Sequence, residues 1–148
     1  MHMIREINIS DAEEIQKICK TALGYDVDIN TVSNQIKKLS CDNKNHILAV
    51  YEDENTKKVI GFVHAQVYES VYSDTGLNIL GLAVDPDFRG NGFGKKLIGY
   101  IEKYAMDNGI SFIRLNSADH RVEAHKFYEN IGYKCDKLQK RFIKYFNI

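Results

Sequence analysis

The apolar and polar positions along this chain of 148 residues alternate between the periods typical of strands and of helices. Apolar residues that alternate with polar ones predict strands, and apolar residues three or four apart predict helices. Strands are predicted over residues 3–8, 46–52, 59–68, 78–84, 110–115, 133–135 and 141–146, and helices over residues 10–23, 29–39, 92–108 and 120–131. This order predicts a mixed α/β chain with a strand-loop-helix crossover in its middle.

Residues at the ends of these elements support the assignment. Ser10 is predicted to cap the first helix, whose first turn is acidic. The polar segment 53–58 joins two strands as in an antiparallel hairpin. Pro86 is expected to end the fourth strand because proline cannot donate to a ladder, and Asn108-Gly109 to stop the helix that follows.

Composition places the chain among ordinary globular proteins. Its length and its 44% hydrophobic residues fit a single domain over residues 1–148. The opening residues lack the apolar centre of a signal peptide, and no apolar run is long enough to cross a bilayer, so a cytoplasmic location is expected. Three widely spaced cysteines favour reduced thiols, and no spacing of ligands predicts a metal site.

Charge is distributed unevenly although the formal net charge is zero. Residues 1–88 contain 8 Lys and Arg against 14 Asp and Glu, whereas residues 89–148 contain 12 against 6. A neutral chain is a poor candidate for binding nucleic acid, but its basic half could hold one compact anion.

The segment RGNGFGKK, residues 89–96, follows an apolar strand and opens the most regular predicted helix. Glycines let a backbone approach a phosphate closely, and the unpaired N–H groups at a helix N-terminus attract anions. Lys95 and Lys96 would oppose the helix dipole by roughly 0.3 to 1 kcal/mol each unless an anion were bound. The spacing fits neither a P-loop nor the dinucleotide fingerprint, which disfavours a nucleotide hydrolase.

What remains is Arg89-x-x-Gly92-x-Gly94, which resembles the pyrophosphate loop of the GCN5-related N-acetyltransferase (GNAT) superfamily. LGLAVDPDFRGNGFGKKLI resembles the strand, loop and helix of that family, and AHKFYENIGYK resembles its second segment. Together they cover roughly residues 77–134. The resemblance implies a mixed, mostly antiparallel sheet of about seven strands, with helices on both faces and a splay between the fourth and fifth strands.

The resemblance also implies acetyl-CoA as cofactor and transfer of its acetyl group to a primary amine, by direct attack through a tetrahedral intermediate. The acceptor would be a small molecule or a peptide, and neither nucleic acid nor a membrane is expected as a partner. The cofactor contacts that it implies are Leu82, Ala83, Val84, Arg89, Gly90, Asn91, Gly92, Phe93, Gly94, Lys95, Asn116, Arg121 and Tyr128. Arg121 stands where many relatives carry asparagine.

Two catalytic residues are predicted. Tyr128 is the expected general acid, since a phenol can pass its proton to a departing thiolate at a cost of about 2 kcal/mol. Many family members carry a glutamate on the strand before the loop as base, but this strand has no acid and Asn78 stands near that place. Glu69, or a water chain ordered by backbone carbonyls, could serve instead, and His64 is a possible relay.

The missing strand acid supports an alternative, a catalytically weak or inactive acyl-CoA-binding module that acts as a sensor or partner subunit. If the chain is an enzyme, four acidic residues predicted near the acceptor weakly favour a cationic amine: Asp26, Asp28, Glu69 and Asp74. The alternating segment 141–146 could add a sheet edge and form a homodimer.

Overall fold

The computed structural model describes residues 3–148 and contains one five-stranded sheet in the order β1-β2-β3-β4-β5. The strands are β1 Ile4–Glu6, β2 His46–Glu52, β3 Val59–Ser70, β4 Ser73–Val84 and β5 Ile113–Leu115. The helices are α1 Ala12–Ile18, α2 Ile29–Ser40, α3 Phe93–Asp107 and α4 Val122–Asn130. The first four strands pair antiparallel in sequence, and β5 pairs parallel with β4. The predicted mixed, mostly antiparallel sheet is therefore confirmed.

The chain divides into two compact units at Asn116. The first contains the sheet with α1, α2 and α3, and the second, Ser117–Ile148, contains α4. Residues 1 and 2 of the predicted domain 1–148 lie outside the described residues. Within residues 3–148, no helix is both long and apolar enough to cross a membrane.

One face of the sheet is covered by α1 and α2. Ile15, Ile18 and Ile36 of these helices are buried in one cluster with Val50 of β2 and Phe62 of β3. Val50 and Phe62 are opposite one another in the β2–β3 register, so they project from the same face. Strand neighbours of these residues point to the other face because side chains alternate along a strand.

The opposite face is covered by α3. The rings of Tyr51 and Phe93 lie 4.6 Å apart between centroids, and a Cβ built on Gly61 would lie 3.1 Å from Leu97 Cδ1. Leu97, Ile98 and Ile101 of α3 are essentially inaccessible to solvent. The sheet of the first unit therefore carries helices on both faces.

The first helix begins differently from the prediction. Ser10 was expected as its cap, but Asn8 caps a 3-10 turn, Ile9–Asp11, by accepting a hydrogen bond from Ser10 N at 3.1 Å. Asp11 Oδ2 accepts from Asn8 N at 2.7 Å and also binds Arg5, which fixes the turn to β1. A π-helical turn, Cys19–Leu23, ends the helix.

The prediction of about seven strands is wrong in number, since residues 3–148 contain five. The segments 133–135 and 141–146, predicted as strands, have no regular structure. The apolar side chains of the segment 141–146 are exposed, for example Phe142 at 89% and Tyr145 at 83%. Alternation is a local signal, whereas a strand needs a neighbouring strand, and neither segment joins the sheet of the described chain.

The boundaries of two further strands also differ. The strand predicted over residues 110–115 is limited to β5, Ile113–Leu115, and every residue of β5 is only half-buried. The strand predicted over residues 78–84 begins earlier, at Ser73, because the hairpin turn lies at residues 71–72 and not at 73–76.

A β-bulge in β4 marks the point where β4 and β5 stop pairing. Ala65 of β3 is opposite Ile79, but its neighbour His64 is opposite Gly81, which leaves Leu80 as an extra residue in β4. The parallel ladder with β5 covers residues 77–79 and ends at the same point. Residues 81–84 continue to pair with β3 but not with β5.

Candidate active site

The glycine-rich segment connects β4 to α3 through two left-handed residues. β4 ends at Val84, a 3-10 turn follows at Pro86–Phe88, and α3 begins at Phe93. Between them, Gly90 has φ of 83° and Gly92 has φ of 79°. Side chains with a Cβ rarely adopt this conformation, so glycine is required for the backbone path at both positions.

Asn91 braces this loop from within. Its side-chain Nδ2 donates to the carbonyl oxygens of Phe88 at 3.0 Å and Arg89 at 3.3 Å. The exposed guanidinium of Arg89 donates in turn to the Ala22 carbonyl at 3.4 Å. These contacts occupy carbonyl oxygens of the loop and none of the N–H groups of residues 90–95.

The backbone N–H groups of residues 90–95 have no acceptor within the described chain. The first helical bond is that of Lys96 N to Gly92 O, at 3.1 Å, so the N–H groups before it belong to the open end of α3. Lys95 is exposed, and the Lys96 ammonium lies 5.9 Å from the Tyr51 ring centroid and 5.8 Å from that of Phe93. A run of free donors at a helix N-terminus with adjacent positive charge fits a phosphate group.

The predicted backbone contacts on β4 lie beyond the bulge. Leu82, Ala83 and Val84 pair with β3 on one side, while β5 does not pair with them on the other. A strand edge with unpaired N–H and C=O groups can accept an extended, amide-bearing ligand. The structure brings this edge and the loop together as consecutive parts of the first unit.

Polar side chains form a hydrogen-bonded row across β3, β4 and β5, immediately before the bulge. Asn78 Nδ2 donates to Gln66 Oε1 at 2.9 Å, and Arg114 Nη1 donates to Asn78 Oδ1 at 2.7 Å. Arg114 Nη2 also donates to Asn116 Oδ1 at 3.0 Å, and the Arg114 guanidinium lies 4.9 Å from the Tyr68 ring centroid. Asn116, predicted as a cofactor contact, is therefore engaged by Arg114.

A pair of histidines lies on β2 and β3 beside this row. His46 Nδ1 and His64 Nε2 are 3.0 Å apart, a hydrogen bond in which one ring donates to the other. Burial, with a smaller contribution from the neighbouring His46, lowers the pKa of His64 from 6.5 to about 4. His64 is consequently a neutral imidazole at neutral pH, opposite Gly81 at the bulge.

Glu69, the predicted base, lies at the other end of the β3–β4 hairpin. Its side chain is exposed and accepts a hydrogen bond from Thr75 Oγ1 at 2.8 Å. Its neighbour Tyr68 is opposite Gly76, which is about 13 Å along the strand from Leu80. The catalytic role of Glu69 stays a prediction.

Tyr128 and Arg121 belong to α4 and its N-terminal flank in the second unit. Burial raises the pKa of the Tyr128 phenol, and the positive charge of Arg121 acts in the opposite direction. The Tyr128 ring contacts those of Phe127 and Tyr133 edge-on, with centroids 5.1 and 6.0 Å away. Tyr128 thus carries its proton at neutral pH. In the same unit, the buried Ser117 Oγ has no hydrogen-bond partner in the described chain.

Comparison with known proteins identifies the class. Residues 6–133 match the acetyltransferase (GNAT) family, so the chain belongs to that family. The predicted resemblance is confirmed, and family membership places the chain among acyltransferases.

Individual relatives are more distant. The N-acetylaspartate synthetase of Rattus norvegicus is 34% identical over 76 residues, which are 51% of this chain but only 24% of that protein. YhdJ of Bacillus subtilis, an uncharacterized N-acetyltransferase, is 27% identical over 77% of this chain and 79% of its own length. The fold matches an aminoglycoside 6'-N-acetyltransferase from Acinetobacter haemolyticus with a TM-score of 0.81 at 15% identity, over 99% of this chain and 100% of that one.

Sequence reasoning missed Arg114 and the bulge. The single charged residue in the mostly apolar stretch ISFIRL was a usable signal, because a partly buried charge on a strand needs a specific partner. Gly81 within the apolar run of β4 was the signal for the bulge, since glycine inside a strand often marks one.

A matched pair of glycine substitutions tests the loop conformation. Gly92→Ala should lower the free energy of unfolding by about 1 kcal/mol or more, because alanine is strained at positive φ. Gly99→Ala, inside α3, should raise it by about 0.5 to 1 kcal/mol. A Cβ at either position meets no atom within 4 Å, so only backbone conformation differs. Urea unfolding measures both, and equal effects would contradict the loop geometry.

His64 should make stability depend on pH. The unfolded chain binds its proton near pH 6.5 and the folded chain near pH 4, so acidification through that range favours unfolding. Between pH 7.5 and pH 5 the loss attributable to His64 is about 2 kcal/mol. His64→Gln should flatten this dependence in urea unfolding, whereas His46→Gln should retain most of it, because burial is the larger cause. An unchanged slope in His64→Gln would refute this assignment.

Proposed function

We propose that this protein is an N-acetyltransferase that moves an acetyl group from acetyl-CoA to a primary amine without forming an acetylated enzyme. The observation that carries the proposal is the row of unpaired backbone N–H groups at residues 90–95, adjacent to a strand edge that β5 leaves open. Family membership supplies the reaction class.

The loop is proposed to hold the diphosphate of the coenzyme. The N–H groups of Gly90, Asn91, Gly92, Phe93, Gly94 and Lys95 donate to it, and the charges of Arg89 and Lys95 add long-range attraction. Asn91 contributes mainly by fixing the loop, since its side-chain amide already binds two carbonyl groups. When bound, acetyl-CoA supplies an activated thioester.

The open edge of β4 is proposed to align the amide-bearing arm of the coenzyme. Leu82, Ala83 and Val84 would offer backbone groups, and an N–H from this stretch would stabilise a developing oxyanion. Arg121 is retained as a proposed phosphate contact. Asn116 is retained as a proposed cofactor contact, although the structure gives its side chain a second role, as partner of Arg114.

Proton transfer is assigned to Tyr128 and to a water-linked base. The phenol Oη of Tyr128 donates its proton or a hydrogen bond to the departing thiolate, for which a protonated phenol is required. On the acceptor side, Glu69 remains a candidate base. The neutral His64, close to the bulge, could instead relay a proton through water.

The names of the relatives indicate amines as different as aspartate and an aminoglycoside. The matched segment spans only about a quarter of the first of these proteins, so neither acceptor can be assigned directly to this chain. We propose that residues 1–148 act as one acetyltransferase domain, because the family match covers parts of both units. The cytoplasmic location and the homodimer stay predictions.

Calorimetry with coenzyme A tests the binding step. Coenzyme A should bind with measurable heat, and pantetheine, which lacks the diphosphate, should bind about tenfold or more weakly. Lys95→Gln should weaken coenzyme A binding about two- to fivefold, while Lys103→Gln on the same helix should not. Absence of heat, or equal affinity for pantetheine, would remove the basis of the proposal. Binding without acceptor-dependent thiol release would favour the inactive acyl-CoA-binding module.

Substitution of Tyr128 tests the chemistry. Tyr128→Phe removes the proposed acid and should lower kcat about 100-fold or more, with little change in KM for acetyl-CoA. Tyr145→Phe is the matched control, since its side chain is 83% exposed in the same unit. Thiol release measures both variants. A Tyr128→Phe variant with wild-type kcat would exclude Tyr128 as the acid.

A further inference from the structure

Arg114 is a half-buried cation on β5, at the position where β4 and β5 separate. It is opposite Asn78 in the parallel ladder, and the next pair, Ile79 and Leu115, is the last before the bulge at Leu80. The proposed function places the reacting groups beside this bulge, because the open edge of β4 starts there. Neither the coenzyme loop nor the assigned proton-transfer groups include Arg114.

The charge of Arg114 has no carboxylate partner within residues 3–148. Its side-chain contacts are two amide oxygens, on Asn78 and Asn116, and the face of the Tyr68 ring. Arg5 in the same sheet shows the usual arrangement, since its guanidinium binds both Asp11 and Glu52. A partly buried charge with only neutral partners is costly to leave without a counter-ion.

The neighbours of Arg114 also fix its orientation. Asn78 donates to Gln66 through Nδ2, so its Oδ1 is directed to Arg114 as an acceptor. Two hydrogen bonds occupy two of the five N–H donors of the guanidinium, and the others stay available. A planar, pre-oriented guanidinium with free donors is the group that best recognises a carboxylate.

None of the four acids predicted on the acceptor side pairs with Arg114. Asp28 caps α2, Asp26 pairs with Lys20, Glu69 accepts from Thr75, and Asp74 lies next to the hairpin turn at the start of β4. The imidazole of His64, on the same face of the sheet as Gln66, is neutral at neutral pH. In the row of side chains on β3, β4 and β5, Arg114 is thus a positive charge among neutral groups. This disfavours the cationic acceptor that the sequence suggested.

We propose that Arg114 binds a carboxylate on the acceptor, so that the acceptor is an amine that carries a carboxylate close to its amino group, as an amino acid does. This inference rests on the proposed acetyl transfer and narrows its substrate class. Asn78, Asn116 and Tyr68 act as positioning residues that hold the guanidinium in place.

Paired acceptors test the proposal directly. Thiol release is measured with a set of L-amino acids and with the α-carboxamide of each, which keeps the amine and removes the carboxylate charge. The wild-type protein should show kcat/KM at least about tenfold higher for the acids. Arg114→Gln should abolish this preference and leave the ratio of acid to amide near unity.

A second variant covers the case in which Arg114→Gln does not fold. Asn116 is exposed, and its Oδ1 already accepts from Arg114 at 3.0 Å. Asn116→Asp therefore gives Arg114 an internal counter-ion with little change in shape, and the preference for acids should fall about tenfold. Lys103→Gln removes one positive charge from α3, on the opposite face of the sheet, and should leave the acid-to-amide ratio unchanged.

A binding experiment separates failure of this inference from failure of acetyl transfer. The protein with coenzyme A is titrated with N-acetylglycine and with N-acetylglycinamide, followed by NMR chemical shifts. Binding of the acid but not the amide, lost in Arg114→Gln or Asn116→Asp, supports the carboxylate site even if no amine is acetylated. Equal binding of the two probes, binding of neither, or a preference for acids that survives both variants overturns it.

Discussion

The architecture depends on one constraint, the short parallel ladder between β4 and β5. The two strands share only residues 77–79 and 113–115, and the extra residue Leu80 shifts the register of β4 against β3 at the same point. A longer ladder would occupy the N–H and C=O groups of residues 81–84. The bulge therefore keeps one edge of an inner strand unpaired, which most sheets avoid. An edge of this kind inside a sheet suits a ligand that can complete the ladder.

The loop after β4 also leaves backbone groups unpaired, and its unpaired N–H donors are closer together than those of the strand edge. Asn91 binds the carbonyl oxygens of residues 88 and 89, so these two acceptors are satisfied within the loop, while the N–H donors of residues 90–95 are not. Lys95 and Lys96 then follow at the N-terminus of α3, where their charges oppose the helix dipole. The unpaired N–H groups of the backbone and the two lysine charges are therefore both stabilised by the same kind of ligand, an anion. The strand edge and the loop together would suit one extended ligand that has an amide-bearing arm and a phosphate end.

The sequence predicted those parts that depend on local patterns. The strand β2, His46–Glu52, and the helix α3, Phe93–Asp107, were predicted closely, because hydrophobic period and glycine stops act within a few residues. The segment 141–146 was not, because alternation says nothing about whether a neighbouring strand exists. The loop was recognised from its glycines, whereas Arg114 became meaningful only when the ladder put it opposite Asn78. Its partner Asn78 lies 36 positions away in sequence, and no local pattern encodes such a contact.

The absence of an acid from residues 77–84 of β4 and the unpaired charge of Arg114 are linked. Many members of the family carry a glutamate on this strand, near the place of Asn78. A carboxylate at Asn78 would lie in hydrogen-bond contact with Arg114 Nη1, which is now 2.7 Å from the amide oxygen, and would neutralise it as Asp11 neutralises Arg5. Asparagine keeps the hydrogen bond but leaves the charge for a ligand. With a carboxylate bound to Arg114, the row of side chains around it has no net charge. Partial burial among amides and the uncharged His64 then disfavours the protonated form of the acceptor amine. The site would then favour the free amine through its environment, which reduces the need for a strong base on the strand.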